Sequence, residues 1–364
     1  MKKILLVSPY YLTRKEVGGA FTYQFISKLI NKGVYVDYIS FKYDGDIEDP
    51  PLSENFRIIR STRLTKLDKY LSWLQCPIYH PLFTSRFSWK LVFTLNDLIK
   101  KVNYDYLVFD YSQTFTLAHF VKHPHKILIA HDIISQRFER EHSRLLKWIR
   151  WTECKLLGGV EKIYSFSRKD CELVNQRYKF ECDVTPVFIK DDILGKQATK
   201  IEDYHVFFAD WGRTDNSESL EWFMSHVIDR LPDVKIKVIG GNLPDYLRER
   251  IKKHKNVEYL GFVDDPYQLI ANARSEISPL HKGAGIKVKC LESLACGTPV
   301  IGTEIAFEGI DSRFGYALHL ANTPDDYVVA INSVKLSLID KINLKKDFIE
   351  NYSQRSIVEY IIDN

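Results

Sequence analysis

Lys282 to Thr303 reads KGAGIKVKCLESLACGTPVIGT, and a loop, a helix and a strand follow one another within it. Gly283 and Gly285 give the loop little bulk, and Lys287 and Lys289 give it charge. Val288, Leu291, Leu294 and Ala295 then recur at helical spacing. Gly297 stops the helix, and Pro299-Val300-Ile301 reads as a strand. A loop without bulky side chains lets backbone N–H groups close on an anion, and the start of the following helix adds partial positive charge, so phosphate is the expected guest. Glu292 lies four residues after Val288, near the helical face that carries the loop side chains. A carboxylate beside phosphate is unfavourable unless it serves another group, and a ribose diol offers two hydrogen-bond donors to it. Together these residues predict a nucleoside diphosphate site.

The order Gly283, Gly285, Lys287, Lys289, Glu292, Ala295, Gly297, Pro299, Val300 resembles the donor-binding segment of bacterial glycosyltransferase family 4 and its close relatives. The resemblance implies an α/β chain of GT-B type, two Rossmann-like domains facing a central cleft. It also implies sugar transfer from a nucleotide donor, with retention at the anomeric carbon. Many family members carry a further Glu eight positions before the one at Glu292. Here that position is Ala284, so the role given to that first Glu does not carry over and no nucleophile is named.

At 364 residues the chain is long enough for two domains with separate cores. No run of eighteen apolar residues occurs, and MKKILLVSPYYL reads as a first strand stopped at Pro9, so the expected location is cytoplasmic. The six cysteines form no C-x-x-C pair and read as reduced thiols. Residues 1–190 hold 30 Lys and Arg against 20 Asp and Glu; residues 191–364 hold 21 against 27. The basic first half is expected to face an anionic partner, a lipid headgroup surface or a pyrophosphate-linked acceptor. Nucleic acid is not the expected partner, because no helix-turn-helix, zinc or RNA-recognition pattern is present.

Along the chain, apolar runs predict strands at residues 4–8, 34–41, 57–60, 104–109, 126–130 and 162–167, and Val184 to Ile189 ends the first domain. Strand, loop and helix at the start form a Rossmann-like unit whose loop, YYLTRKEVGGA, lacks G-x-G-x-x-G, which argues against a nicotinamide cofactor. Gly18 and Gly19 read either as a turn and helix entry or, on the resemblance, as the pair that approaches donor phosphate and acceptor. The aromatic and proline-rich stretch from Leu64 to Phe93 reads as core and loop packing or as acceptor-shaping surface. His131-Asp132 follows the strand at 126–130, at the edge of a parallel sheet where ligands bind. The resemblance has this histidine touch the transferred sugar or orient the acceptor. Residues 135–157 predict one long helix carrying arginines, lysines and tryptophans, either a membrane-surface contact or a core helix with a solvated basic face.

A polar run, Lys190 to Asp203, reads as the linker between domains 1–190 and 191–345. Further strands are expected at 204–209, 235–240 and 276–279, and Val257 to Asp264 resembles the family segment that cradles the nucleotide base through backbone groups. Arg213, in the loop DWGRTDN, reads as an exposed loop residue or as a bidentate partner for pyrophosphate. On the resemblance, Phe262 and Val263 lie nearest the nucleotide base, Glu308 reaches the sugar or closes the loop, and Tyr352-Ser353-Gln354-Arg355 opens a terminal helix. Residues 346–364 are then expected to cross back toward the first domain.

The resulting expectation is a glycosyltransferase with Lys287, Val288, Lys289, Gly283 and Gly285 on the diphosphate. Glu292 takes the ribose and His131 the sugar or acceptor. The donor is of UDP or GDP type and acts as co-substrate, with no metal and no other cofactor. The acceptor is a glycan or lipid-linked oligosaccharide in surface polysaccharide synthesis, with contact to the inner membrane through the basic first domain. The alternatives are a nucleotide-sugar epimerase, which needs an acid/base pair, and a non-catalytic nucleotide-sugar or glycan-carrier module.

Overall fold

The computed structural model describes residues 1–13, 17–43, 46, 49–51, 53–352 and 356–364. The chain divides into two compact units: Met1–Phe188 with Arg355–Asn364, and Ile189–Gln354. The strands of the first unit are β1 (Lys3–Val7), β2 (Tyr35–Lys42), β3 (Phe56–Arg63), β4 (Tyr106–Asp110), β5 (Lys126–Ala130), β6 (Lys162–Ser165) and β7 (Asp183–Val184). They form one sheet in the order 3-2-1-4-5-6-7, every pair parallel. Ile4, Leu5, Leu6 and Val7 are wholly buried, as expected of a strand covered by helices on both faces.

The second unit holds β8 (His205–Phe208), β9 (Ile236–Ile239), β10 (Val257–Gly261), β11 (Glu276–Ser278), β12 (Val300–Gly302) and β13 (Leu318–Leu320). Their order is 10-9-8-11-12-13, again parallel throughout. In each sheet the strand order reverses once, between β1 and β4 and between β8 and β11. The loops leaving the carboxyl ends of those strands open the crevice where α/β sheets take their ligands.

Several elements differ from the sequence reading. The single helix expected over 135–157 is two, Ile134–Arg140 and Leu146–Leu157. His142 between them has φ of +50°, which no helix continues through. The second helix carries both tryptophans: Trp148, partly buried, donates to the Ile78 carbonyl at 2.8 Å, while Trp151 stays 41% exposed with its ring 5.6 Å from Tyr79. Residues 64–93 contain helices at Lys66–Gln75 and Pro81–Thr84 and the start of a third at Trp89–Lys101. Tyr79, Phe83 and Phe87 lie in the core while Tyr70 and Trp89 stay exposed.

Residues 14–16 of the first loop, and Ser353 to Arg355 where the terminal helix was expected to open, lie outside the described residues. The last helix, Ile357–Asp363, starts in a capping box of Ser356 and Glu359. It docks within the first unit: Ile357 N–H donates to Thr185 Oγ1 at 3.2 Å and Lys2 Nζ to the Ile361 carbonyl at 2.9 Å.

Candidate functional site

In the second unit, β8 runs out at Phe208 into a pinned turn. Gly240, at φ +129° after β9, lies against it so closely that a Cβ there would sit 1.7 Å from the Ala209 carbonyl oxygen. Trp211, fully buried, donates its indole N–H to the Ile239 carbonyl at 3.2 Å. Asn216 Nδ2 donates to the Asp210 carbonyl at 2.9 Å and Asn242 Nδ2 to Asp210 Oδ1 at 3.0 Å. These bonds fix the start of the helix Thr214–His226, with Arg213 as its N-cap. Arg213 is exposed, and among the described residues its guanidinium has no ion-pair partner.

The loop 282–287 comes to the same place. Gly283 at φ +117° and Gly285 at φ +68° hold conformations that favour glycine, and a Cβ on Gly283 would lie 3.9 Å from Asp215 Oδ2. Lys282 Nζ pairs with Glu218 at 2.8 Å, and Lys289 Nζ lies 3.5 Å from Asn216 Oδ1. Lys287 plays a different part from Lys289. Its Nζ folds back to the Gly285 carbonyl at 2.6 Å and lies 3.9 Å from the buried Glu308 carboxylate. Lys287 and Glu308 therefore brace the loop from behind, while Lys289 stands at the meeting of loop and helix start.

Val288 opens the helix Val288–Ala295, which has no side-chain cap on its first N–H groups. Glu292, one turn beyond Lys289, is partly buried and accepts a hydrogen bond from Tyr267 Oη at 3.2 Å. Desolvation pushes its carboxyl up to about 7, against the opposing pull of Lys190 and the Tyr267 bond. Tyr267 starts the helix Tyr267–Asn272 just past Phe262 and Val263. Phe262 is 72 % exposed at the end of β10, unusual for a phenylalanine, with Val263 partly buried beside it. Gly283 and Lys289 thus meet the helix start that Arg213 caps, and Tyr267, whose ring lies 5.9 Å from Phe208 of β8, holds Glu292.

Glu276 was not singled out from sequence. It is wholly buried on β11, and among the described residues neither carboxylate oxygen has a hydrogen-bond partner within bonding geometry. Burial pushes its carboxyl up, against the opposing charge of Lys289.

The first unit gathers a second constellation at its own sheet reversal. Gly19 sits in the helix Val17–Asn31 with no room for a side chain, since a Cβ would lie 2.5 Å from the Tyr11 carbonyl oxygen. Gly18 is the preceding residue of the same helix. That approach lets Thr22 reach Asp110, the last residue of β4. Asp110 is wholly buried and accepts hydrogen bonds from Thr22 Oγ1 at 2.8 Å and Ser8 Oγ at 3.2 Å. His131, just past β5, brings Nε2 to Asp110 Oδ1 at 2.6 Å. Tyr111, at φ +62° and ψ 149°, stacks its ring on the imidazole at a centroid distance of 3.3 Å. Such a backbone conformation in a tyrosine is strained by about 1–3 kcal/mol and is held only where its surroundings require it.

Among the described residues no group of three His, Cys, Asp or Glu side chains could hold a metal ion. An Asp-x-Asp does occur at Asp44 and Asp46; Asp44 lies outside the described residues, and Asp46 accepts from the Tyr43 N–H at 2.6 Å.

Residues 205–334 match the family described as Glycosyl transferases group 1. No curated protein matches the sequence. Among solved structures, a sucrose-phosphate synthase from Thermosynechococcus elongatus aligns at 15% identity with a TM-score of 0.72, covering 100% of this chain and 98% of that one. TarM aligns at 12% identity with a TM-score of 0.72, covering 100% and 97%. WaaG, a glycosyltransferase involved in lipopolysaccharide biosynthesis, aligns at 14% identity with a TM-score of 0.65, covering 99% and 98%. The fold is GT-B. With a glycosyl transferases group 1 domain on that fold, the chain is a glycosyltransferase.

Proposed function

We propose that the chain moves a sugar from a UDP- or GDP-type donor to a glycan or lipid-linked acceptor, with retention, in the synthesis of a bacterial surface polysaccharide such as lipopolysaccharide or capsule. The convergence of Gly283 and Lys289 on the start of the helix Thr214–His226 carries this reading. As the bond from the anomeric carbon to the diphosphate breaks, negative charge gathers on the β-phosphate. The loop amides and Lys289, drawn to Asn216, are in place before that charge appears and stabilise it with little reorganisation, and Arg213 at the same helix start adds its charge. Lys287 contributes by holding the loop. Glu292 receives the ribose hydroxyls, Phe262 and Val263 face the base, and His131 takes the sugar or acceptor. No metal is required for charge neutralisation of this kind.

A surface in the first unit supports peripheral attachment to the cytoplasmic face of the inner membrane. The helix Lys66–Gln75 exposes Leu67, Tyr70, Leu71 and Leu74 beside Lys66 and Lys69, and Ile78 and Phe93 are exposed as well. Apolar side chains flanked by lysines suit an anionic lipid interface. No helix among the described residues is long and apolar enough to cross a membrane.

Incubation with a panel of nucleotide sugars, with and without lipid-linked acceptors, tests the reading. Nucleotide release that depends on acceptor supports transfer. Altered sugar without release supports epimerisation, and binding without turnover supports a non-catalytic module.

A further inference from the structure

We infer that Arg86 and Lys69 form an anion site beside Tyr43 in the first unit, and that it takes the phosphate or diphosphate of the acceptor. The inference rests on the transferase reading above for calling that ligand an acceptor, and on the geometry of the first unit for the site itself.

Arg86 lies between the helices Pro81–Thr84 and Trp89–Lys101 and is only 7% exposed. A cation so far from water is ordinarily paired with a carboxylate. Among the described residues Arg86 has no such partner. Its guanidinium reaches neutral acceptors at long range: the Pro9 carbonyl at 3.4 Å, the Ser85 carbonyl at 3.3 Å and Tyr43 Oη at 3.5 Å. Phe41 and Tyr43 lie against it, their ring centres 5.7 and 6.0 Å from Cζ. Aromatic faces offset part of the lost hydration but bring no net negative charge. The carboxylate of Asp110, which acts with Arg86 on the neighbouring Tyr10, is taken up by Ser8, Thr22 and His131.

Lys69 comes to the same place from another element. It is exposed on the helix Lys66–Gln75 with Nζ 5.0 Å from the centre of the Tyr43 ring, and among the described residues it too has no carboxylate partner. Burial raises the Tyr43 hydroxyl, yet Lys69 and Arg86 outweigh it and hold the group below its usual range, as a local positive potential does. Tyr43 is 37% exposed, so this meeting point is open to a ligand although Arg86 is covered. Pro9 follows β1 and Tyr43 follows β2, which places the cations at the carboxyl ends of two adjacent parallel strands, the edge where such sheets take ligands. A phosphate suits both: the guanidinium matches its oxygens bidentately, and the ammonium adds a point charge. Leu67, Tyr70, Leu71 and Leu74 are exposed on the helix that carries Lys69, so a lipid-linked phosphate uses that face as well, whereas a soluble sugar phosphate uses the cations alone.

Calorimetry on the full chain with decyl diphosphate, decanol and inorganic pyrophosphate tests the inference. Decyl diphosphate should bind wild-type protein, at least about tenfold more weakly in Arg86→Met, several-fold more weakly in Lys69→Gln, and equally well in Lys289→Ala. A loss in Lys289→Ala with none in Arg86→Met puts the ligand on the 282–287 loop and overturns the site. Decanol binding as tightly as decyl diphosphate also overturns it, since the apolar face then carries the binding. Decyl diphosphate binding at least about tenfold more tightly than pyrophosphate supports the site with a lipid-linked phosphate; equal affinities support it with a soluble one. Thermal unfolding without ligand separates binding from scaffolding. A buried cation without a counter-charge costs stability, so Arg86→Met should melt no lower than wild type. A lower Tm with unchanged binding overturns the inference and leaves Arg86 a structural residue. Should Arg86→Met not fold, the exposed Lys69→Gln decides, and unchanged binding there overturns the site. Should wild-type protein transfer no sugar, the transferase reading fails while the titrations still judge Arg86 and Lys69.

Discussion

Tyr267 donates a hydrogen bond to Glu292 across 3.2 Å, which ties a residue just past Phe262 and Val263 to the carboxylate we propose for the ribose. The carboxyl is held up at about 7 by desolvation, so near neutral pH it is divided between its two forms. The ionised form offers both oxygens as charged acceptors to the two ribose hydroxyls, whereas the protonated form turns one oxygen into a donor.

Donor affinity is therefore expected to rise with pH up to about 7 and level off above it, because binding the ionised form expels a proton. Calorimetry with an intact nucleotide sugar, whose phosphates do not titrate in that range, should show up to about tenfold tighter binding per unit well below 7. Glu292→Gln should flatten the profile. The same raised carboxyl means that the folded state holds more protons than the unfolded one between the ordinary Glu range and about 7. Stability of the wild-type chain should thus decline as pH rises through that window, by at most about 3 kcal/mol from this group.

The two lysines of the loop should separate cleanly. Lys289→Ala should weaken nucleoside diphosphate binding at least about tenfold with little change in melting temperature, since it removes a charge-assisted contact from a surface position. Lys287→Ala should instead lower stability by about 1–3 kcal/mol, because the Gly285 carbonyl and buried Glu308 lose their partner. Thermal unfolding with and without nucleotide measures both effects.

Gly240→Ala should be among the most damaging single changes in the second unit. A Cβ there would overlap the Ala209 carbonyl, and alanine does not tolerate φ of +129°. Urea denaturation should show a loss of about 3 kcal/mol or more. Gly33→Ala is the control: its φ is +79° but its Cβ position is empty, so strain acts alone and the cost should be near 1 kcal/mol.

If the helix Lys66–Gln75 rests on lipid, Leu71→Asp should reduce co-sedimentation with vesicles containing anionic phospholipid several-fold. Transfer to a soluble acceptor should be unchanged, because Leu71 is exposed and far in sequence from Asp110 and His131. Equal binding of wild type and variant would remove this surface from consideration.

Much of the architecture was legible because parallel strands buried on both faces read as unbroken apolar runs, as in Ile4 to Val7 and Lys126 to Ala130. The loop at Gly283 was legible because positive φ and close approach leave a glycine in the sequence. The break at His142 was not, since its helical spacing continues through a residue whose backbone departs from the helix. Asp110 was hidden for another reason. A carboxylate ending an apolar strand reads as the strand's exit, and only the fold brings Ser8, Thr22 and His131 to it from three other elements. The opposite parts of Lys287 and Lys289 likewise depend on which way each chain folds from adjacent turns.

Titration of wild-type protein and Lys289→Ala with UDP, GDP, dTDP and CMP, followed by calorimetry or thermal shift, reaches the centre of this account. At least one nucleoside diphosphate should bind wild type and raise its melting temperature with the logarithm of concentration, and Lys289→Ala should lose most of that response. A full response in Lys289→Ala would contradict the assignment of the 282–303 segment to the donor's diphosphate.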